Sequence, residues 1–150
     1  MSLHQNIRTQ ATEAMKARDS IRLNVLRGLL SSFTNEAVSK KRKPDEELSD
    51  EEALSVITRA VKQRKDSIEQ FEKGGRIDLA EVEKAELGVL ETYLPQQMSE
   101  EEVFEYVKAK QVELGMGKEK AGQLIGIIMK DLKGKADGSL VKTSLDRLLQ

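Results

Sequence analysis

Apolar residues recur at three- and four-residue spacing along almost the whole chain, and glycines and prolines interrupt the pattern. Such spacing places one apolar stripe on each of a series of α-helices. Leu3, Ile7, Ala11, Ala14 and Met15 predict a first helix through about Ala17, capped by Ser2. Leu26, Leu29, Leu30, Phe33 and Ala37 predict a second from Ser20 to about Ser39, with Asp19 as its cap. Gly28 lies inside that helix at a cost of about 1 kcal/mol relative to alanine, and close packing of a neighbour is its expected use. Pro44 bars a continuous helix across Lys40–Glu47. Ser49-Asp50-Glu51-Glu52 then reads as a capping box, in which serine and glutamate satisfy each other's backbone N–H. The third helix, about Asp50 to Phe71, turns Ala53, Ile57, Ala60, Val61, Ile68, Phe71 and the stem of Arg64 inward. At about 1.5 Å per residue it is roughly 33 Å long and asks for companions of similar length. Gly74 is the expected left-handed stop. A fourth helix leaves from Asp78 and ends before Pro95, with Leu79, Val82, Leu87, Leu90 and Leu94 available for burial. Those residues leave water only if Lys62–Leu94 doubles back as a helical hairpin, and the rest of the chain is organised around it.

After Pro95 three shorter helices are expected. Ser99-Glu100-Glu101-Glu102 repeats the capping pattern ahead of Val103, Phe104, Val107 and Leu114, and Gly115 ends that helix. The next, about Lys118–Lys133, carries Ala121, Leu124, Ile125, Ile128, Met129 and Leu132 on its core side. Gly122 and Gly126, four apart, form a smooth strip on it where another backbone could approach. Ser139 is the expected cap of a last helix bearing Leu140, Val141, Leu145, Leu148 and Leu149. No stretch alternates as a strand would. The reading is an all-α chain with an N-terminal four-helix module over residues 1–95 and a C-terminal three-helix module over 96–150.

The residue inventory narrows the chemistry. There is no cysteine, so disulfides, iron–sulfur clusters, thiolate zinc sites and cysteine nucleophiles are excluded. The one histidine, His4, is expected to be solvent-exposed rather than catalytic, and a nitrogen- or sulfur-rich metal site cannot be built from it. No G-x-S-x-G elbow, Walker A sequence or strand-linked G-x-G-x-x-G occurs. The glycines of Gly115–Gly122 read as a helix-to-helix turn, not a phosphate loop. No catalytic residue, metal or cofactor is expected. The N-terminal eighteen residues contain no apolar run of signal-peptide length, and no segment approaches the ~20 apolar residues that span a bilayer. Lack of cysteine suits a reducing compartment, and a cytoplasmic location is expected.

Charge changes the picture further. The net charge of −1 conceals blocks: +6 over residues 1–43, −6 over 44–53, +3 over 54–76, −7 over 77–102 and +3 over 117–150. Solvated helix faces account for much of this. The basic Lys40–Lys43 run precedes acids at once and reads as a solvated loop, and Glu83 and Glu86 read as a solvated pair on one helix face. The last block is the candidate for nucleic acid. Lys118, Lys120, Lys130, Lys133 and Lys135, with Gly122 and Gly126, are the proposed RNA-contacting residues, with Lys130 and Lys133 on a common face. Aromatic residues are only 3% of the chain, which argues against a base-stacking platform and for recognition of a folded backbone.

Arg18-Asp19 and Arg22-Leu23-x-x-Leu26-Arg27 resemble the YqeY family. So do Lys62-Gln63-Arg64-Lys65-Asp66-Ser67-Ile68-Glu69-x-Phe71, Gly75-Arg76-x-Asp78-Leu79, Glu83-x-x-Glu86-Leu87 and Tyr93-Leu94-Pro95. Gly122-x-Leu124-Ile125-Gly126-x-Ile128-Met129-Lys130 and Lys135-Ala136-Asp137-Gly138 complete a resemblance that covers nearly the whole chain. That family is similar to the C-terminal tail of the GatB subunit of tRNA-dependent amidotransferase. The resemblance implies a helical bundle followed by a three-helix tail domain, and in the larger enzyme the tail is associated with holding tRNA. The kinase-like and amidase chemistry lies in other domains, which nothing here resembles. The function expected is a non-catalytic adaptor that binds tRNA or a tRNA-handling protein. The alternatives are a helical protein-interaction module, or a component of glutamine-dependent amidotransferase (carbon–nitrogen ligase) activity. No membrane partner is expected, and the oligomeric state is open, with a monomer compatible.

Overall fold

The computed structural model describes every residue, Met1–Gln150. It is all-helical, with seven α-helices and no strand. They are α1 (Leu3–Ala17), α2 (Ser20–Ser39), α3 (Asp50–Lys73), α4 (Ile77–Glu91), α5 (Glu100–Leu114), α6 (Ala121–Asp131) and α7 (Gly138–Leu148), with a single 3₁₀ turn at Lys118–Lys120. The chain falls into two compact units, Met1–Leu94 and Pro95–Gln150.

The first unit is a pair of helical hairpins. α1 packs on α2 and α3 packs on α4, and each of these pairs is more extensive than any single helix pair between the two hairpins. Ile7, Leu26, Phe33, Ile57 and Leu90 fill its centre and are almost wholly removed from water. At about 1.5–3 kcal/mol for each large apolar side chain, this burial dominates the unit's stability. Ser2 and Ser49 both make the full capping box, with Gln5 and Glu52 as reciprocal partners, and Asp19 caps α2 through the Arg22 N–H.

Several local expectations are corrected. At the α3–α4 turn it is Gly75, at φ +73°, that is left-handed, whereas Gly74 keeps a φ of −83°. The Arg76 N–H reaches the Phe71 carbonyl at 2.8 Å and the Gly75 N–H that of Glu72 at 3.1 Å, a Schellman closure that needs the left-handed residue one position later. α4 begins at Ile77, and Val82 points outward at 54% exposure while Ala80 is buried instead. Met15 is likewise exposed. A Cβ built on Gly28 meets nothing within 4 Å, so this glycine allows no close helix contact. His4 is not exposed but 5% accessible, tilted against the Phe33 ring at 4.8 Å. Its Nδ1 accepts from the Leu48 N–H at 3.0 Å, tying α1 to the segment that enters α3.

In the second unit Val103 and Val107 of α5 meet Leu124 and Ile128 of α6 and Val141 and Leu145 of α7. Ser99 caps α5 through the Glu102 N–H, and Gly115, at φ +62°, ends it as expected. Leu114 is more exposed than its spacing implied. α6 is shorter than expected, because Lys118–Lys120 forms the 3₁₀ turn and the helix stops at Asp131. The cap of α7 is Asp137, not Ser139: its carboxylate accepts from the Ser139 N–H at 2.9 Å. Gly138 leaves room for Met129, whose methyl would lie 3.3 Å from an added Cβ.

Candidate nucleic-acid interface

The five candidate lysines fall into two groups at the two ends of α6. Lys118 and Lys120 sit on the 3₁₀ turn that leads into the helix. Lys130 lies in its last turn, and Lys133 and Lys135 lie in the loop beyond. Lys130 and Lys133 therefore do not share a helix face, because the helix has ended between them. Eleven residues at about 1.5 Å each separate the groups by roughly 16 Å. All five side chains are exposed. Lys110 of α5 is held in ion pairs, with Glu113 at 3.7 Å and Asp131 at 3.5 Å.

The loop carrying Lys133 and Lys135 is pinned by the Gln97-Met98 segment that precedes α5. The Met98 N–H donates to the Lys135 carbonyl at 2.8 Å, and the Gln97 Nε2 donates to the Gly134 carbonyl at 2.7 Å. Leu132 plugs the core beneath it, and Gly134 takes a φ of +79°. The backbone is thus held in place while the lysine ammonium groups stay in solvent. Gly122 and Gly126 occupy the solvent side of α6, in one line with Lys130 at four-residue steps. Nothing lies within 4 Å of a Cβ added to either glycine. The strip is open, so packing inside the unit does not account for it.

Two acidic groups at these ends are engaged locally: Asp131, next to Lys130, and Glu119, between Lys118 and Lys120. Asp131 accepts from the Tyr106 hydroxyl at 2.8 Å. That hydroxyl, with Lys110 and then the charge of Lys130 assisting, holds the Asp131 carboxyl below its ordinary range, while the same bond and partial burial push the Tyr106 hydroxyl upward. Glu119 folds back toward Gly117, where an added Cβ would lie 2.9 Å from its carboxylate. Arg147 stacks over Phe104, its guanidinium carbon 4.2 Å from the ring centroid, so this ring is already covered. The pairing of Tyr106 with Asp131 spans 25 residues and leaves no periodic trace in the sequence.

Two other charged groups expected to be solvated are engaged in the first unit. Arg64 of α3 reaches both Glu83, at 3.1 Å, and Glu86 of α4, so the carboxylate pair is bridged across the hairpin rather than free. Of the basic run, Lys40 and Arg42 both meet Glu52, at 2.7 and 2.8 Å. The Arg42 side chain, followed by Lys40, holds the Glu52 carboxyl well below the usual carboxylate range. Arg22 and the Tyr93 hydroxyl converge on the Gln10 side-chain oxygen, joining α1, α2 and the residues after α4.

Burial, and then the positive charge of Arg8, push the His4 imidazole below its ordinary value. The Leu48 N–H fixes Nδ1 as an acceptor, so neutral His4 carries its proton on Nε2. Arg8 lies 3.2 Å from Nε2 and has no acceptor to offer that proton, so the contact opposes a positive ring and does not stabilise it. His4 is a structural link between segments.

A protein of Pyrenophora tritici-repentis named altered inheritance of mitochondria protein 41, mitochondrial, is 34% identical over 125 residues, covering 82% of this chain and 67% of its own. Proteins of the same name from Lachancea thermotolerans and Kluyveromyces lactis are 36% and 38% identical over 91 and 81 residues. Those alignments cover 61% and 54% of this chain but only 47% and 42% of the relatives' own length. The expectation of a cytoplasmic location is overturned by these matches, since the relatives are named as mitochondrial proteins. A cysteine-free helical chain does not discriminate among reducing compartments, which is why the composition misled. No helix is long and apolar enough to cross a membrane. The pattern of the Yqey-like protein family matches residues 4–149, and the chain belongs to that family.

Proposed function

We propose that the C-terminal unit binds folded RNA of the tRNA class, and that the chain acts as a non-catalytic adaptor. The observation that carries this reading is the set of five exposed lysines at the two ends of a helix whose outer face is bare at Gly122 and Gly126. Phosphates contacted by such lysines release counterions, and affinity then falls with salt. The bare strip lets a ribose-phosphate backbone come closer than a side-chain-covered helix would. The resemblance to the GatB tail, associated with holding tRNA, supports the same choice of ligand.

Fluorescence anisotropy with folded tRNA at 50 and 200 mM salt tests it. Contact of all five lysines with phosphates predicts a loss of roughly 10²–10³-fold between the two conditions. Lys130→Glu with Lys133→Glu should weaken binding while leaving the helical circular dichroism unchanged. No binding at low salt, or equal affinity for an unstructured polyanion, would refute the proposal.

A further inference from the structure

The seam between the two hairpins of the first unit is hollow. Two adjoining cavities of about 320 and 300 Å³ lie along it and share Ser32, Ala60 and Gln63 as walls. Their floor is apolar, formed by Val25, Leu29, Val56 and Leu90, all buried. Their rims are polar and small. Ser32 and Asn35 of α2 face Gln63 and Ser67 of α3, and none of these four side chains hydrogen-bonds to the protein. Gly28 stands at one end with open space where a Cβ would be.

The ion-pair clusters flanking the two ends, which reach the walls at Glu36 and Arg59 and at Arg64, differ in charge. At one, Lys40, Arg42 and Arg59 share Glu36 and Glu52, three cations against two carboxylates, for a balance of +1. At the other, Arg64 lies between Glu83 and Glu86, one cation against two, for a balance of −1. No aromatic ring lines either cavity, so nothing there would stack a base.

We propose that this seam is a binding groove for a short extended polypeptide segment. Asn35 and Gln63 each offer a donor and an acceptor, the pair of functions that a peptide's N–H and C=O require. A helix would leave them idle, because its own backbone groups are already bonded. An extended segment also points alternate side chains to opposite sides, which suits an apolar floor under a polar rim. From Gly28 to Ser39 the groove runs about 16 Å along α2, the reach of about five extended residues. The end charges orient the segment, an acidic residue toward Arg59 and a basic one toward Glu83 and Glu86. This site lies wholly within the first unit and is independent of the RNA reading.

The test is selection of a phage-displayed library of random seven-residue peptides on the full chain. Selected peptides are then synthesised and titrated into the ¹⁵N-labelled full chain. The expected result is peptides with alternating apolar positions and opposite end charges, which shift the side-chain amide signals of Asn35 and Gln63. Asn35→Ala and Gln63→Ala should each weaken binding roughly fivefold, the loss of about one hydrogen bond. Ser32→Tyr should fill the groove and abolish binding; if that variant fails to fold, the two alanine variants decide. Four outcomes would overturn the proposal: no enrichment, shifts confined to other residues, alanine variants that bind as tightly as the parent, or tRNA displacing the peptides from these same signals.

Discussion

Gly126→Ala isolates what the bare face of α6 costs and what it is for. Gly126 lies in the interior of an eleven-residue helix. Its φ is not positive, so alanine can adopt the same backbone. An added Cβ meets no atom within 4 Å, so no steric penalty opposes the gain in helix propensity. That gain is about 0.8–1.0 kcal/mol in a helix interior. For a unit the size of Pro95–Gln150 it corresponds to a rise in Tm of roughly 4–8 °C. Because the chain has two units, the measurement should be local. Native-state amide hydrogen exchange in α6 should slow about fivefold, which is the same free energy expressed as an opening equilibrium. Gly122 lies at the start of the helix, where propensity counts for less, and Gly122→Ala should give a smaller effect. If Gly126→Ala leaves exchange unchanged or faster, the glycine is serving the fold and the argument from open space is wrong. If it stabilises the unit and also weakens tRNA binding, the strip trades stability for approach of a ligand.

Three further outcomes follow from the first unit. Because the folded His4 pKa is lowered, the unfolded chain binds the proton more readily, so stability should decline as pH falls below about 6.5. Urea unfolding at pH 7 and pH 5.5 would measure this, and His4→Asn, whose carbonyl can accept from Leu48, should flatten the dependence. Arg64→Met leaves Glu83 and Glu86 unbridged on adjacent turns. Arg64 is 26% exposed, so after solvent screening the expected loss is about 1 kcal/mol, read as a lower urea midpoint; the loss should shrink when Glu83→Gln is added. Ser49→Ala removes the α3 cap and should cost about 1 kcal/mol in the same assay.

What the sequence determined by itself was everything that repeats within a few residues. The spacing of Leu26, Leu29 and Phe33, the serine caps at positions 2, 49 and 99, and the stops at Gly115 and Pro95 each act within one or two turns. Seven helices and the all-α class were legible from them. The misses begin where one helix's environment depends on another. Val82 fits an apolar stripe, yet only the packing of α3 on α4 decides that Ala80 is buried in its vicinity and Val82 is not. His4 is unremarkable as a residue, and its burial depends on Phe33 and Leu48 arriving from far along the chain. Arg64 carries no sign of Glu83 and Glu86, nor Tyr106 of Asp131. At the candidate RNA interface the lysines could be named from charge alone, but their division into two groups about 16 Å apart follows from where α6 starts and stops. The groove between α2 and α3 had no signature at all, since a hollow is a relation between two surfaces. Helical periodicity is a property of one segment, whereas pairing, burial and concavity are properties of how segments share space, and only the tertiary structure settles those.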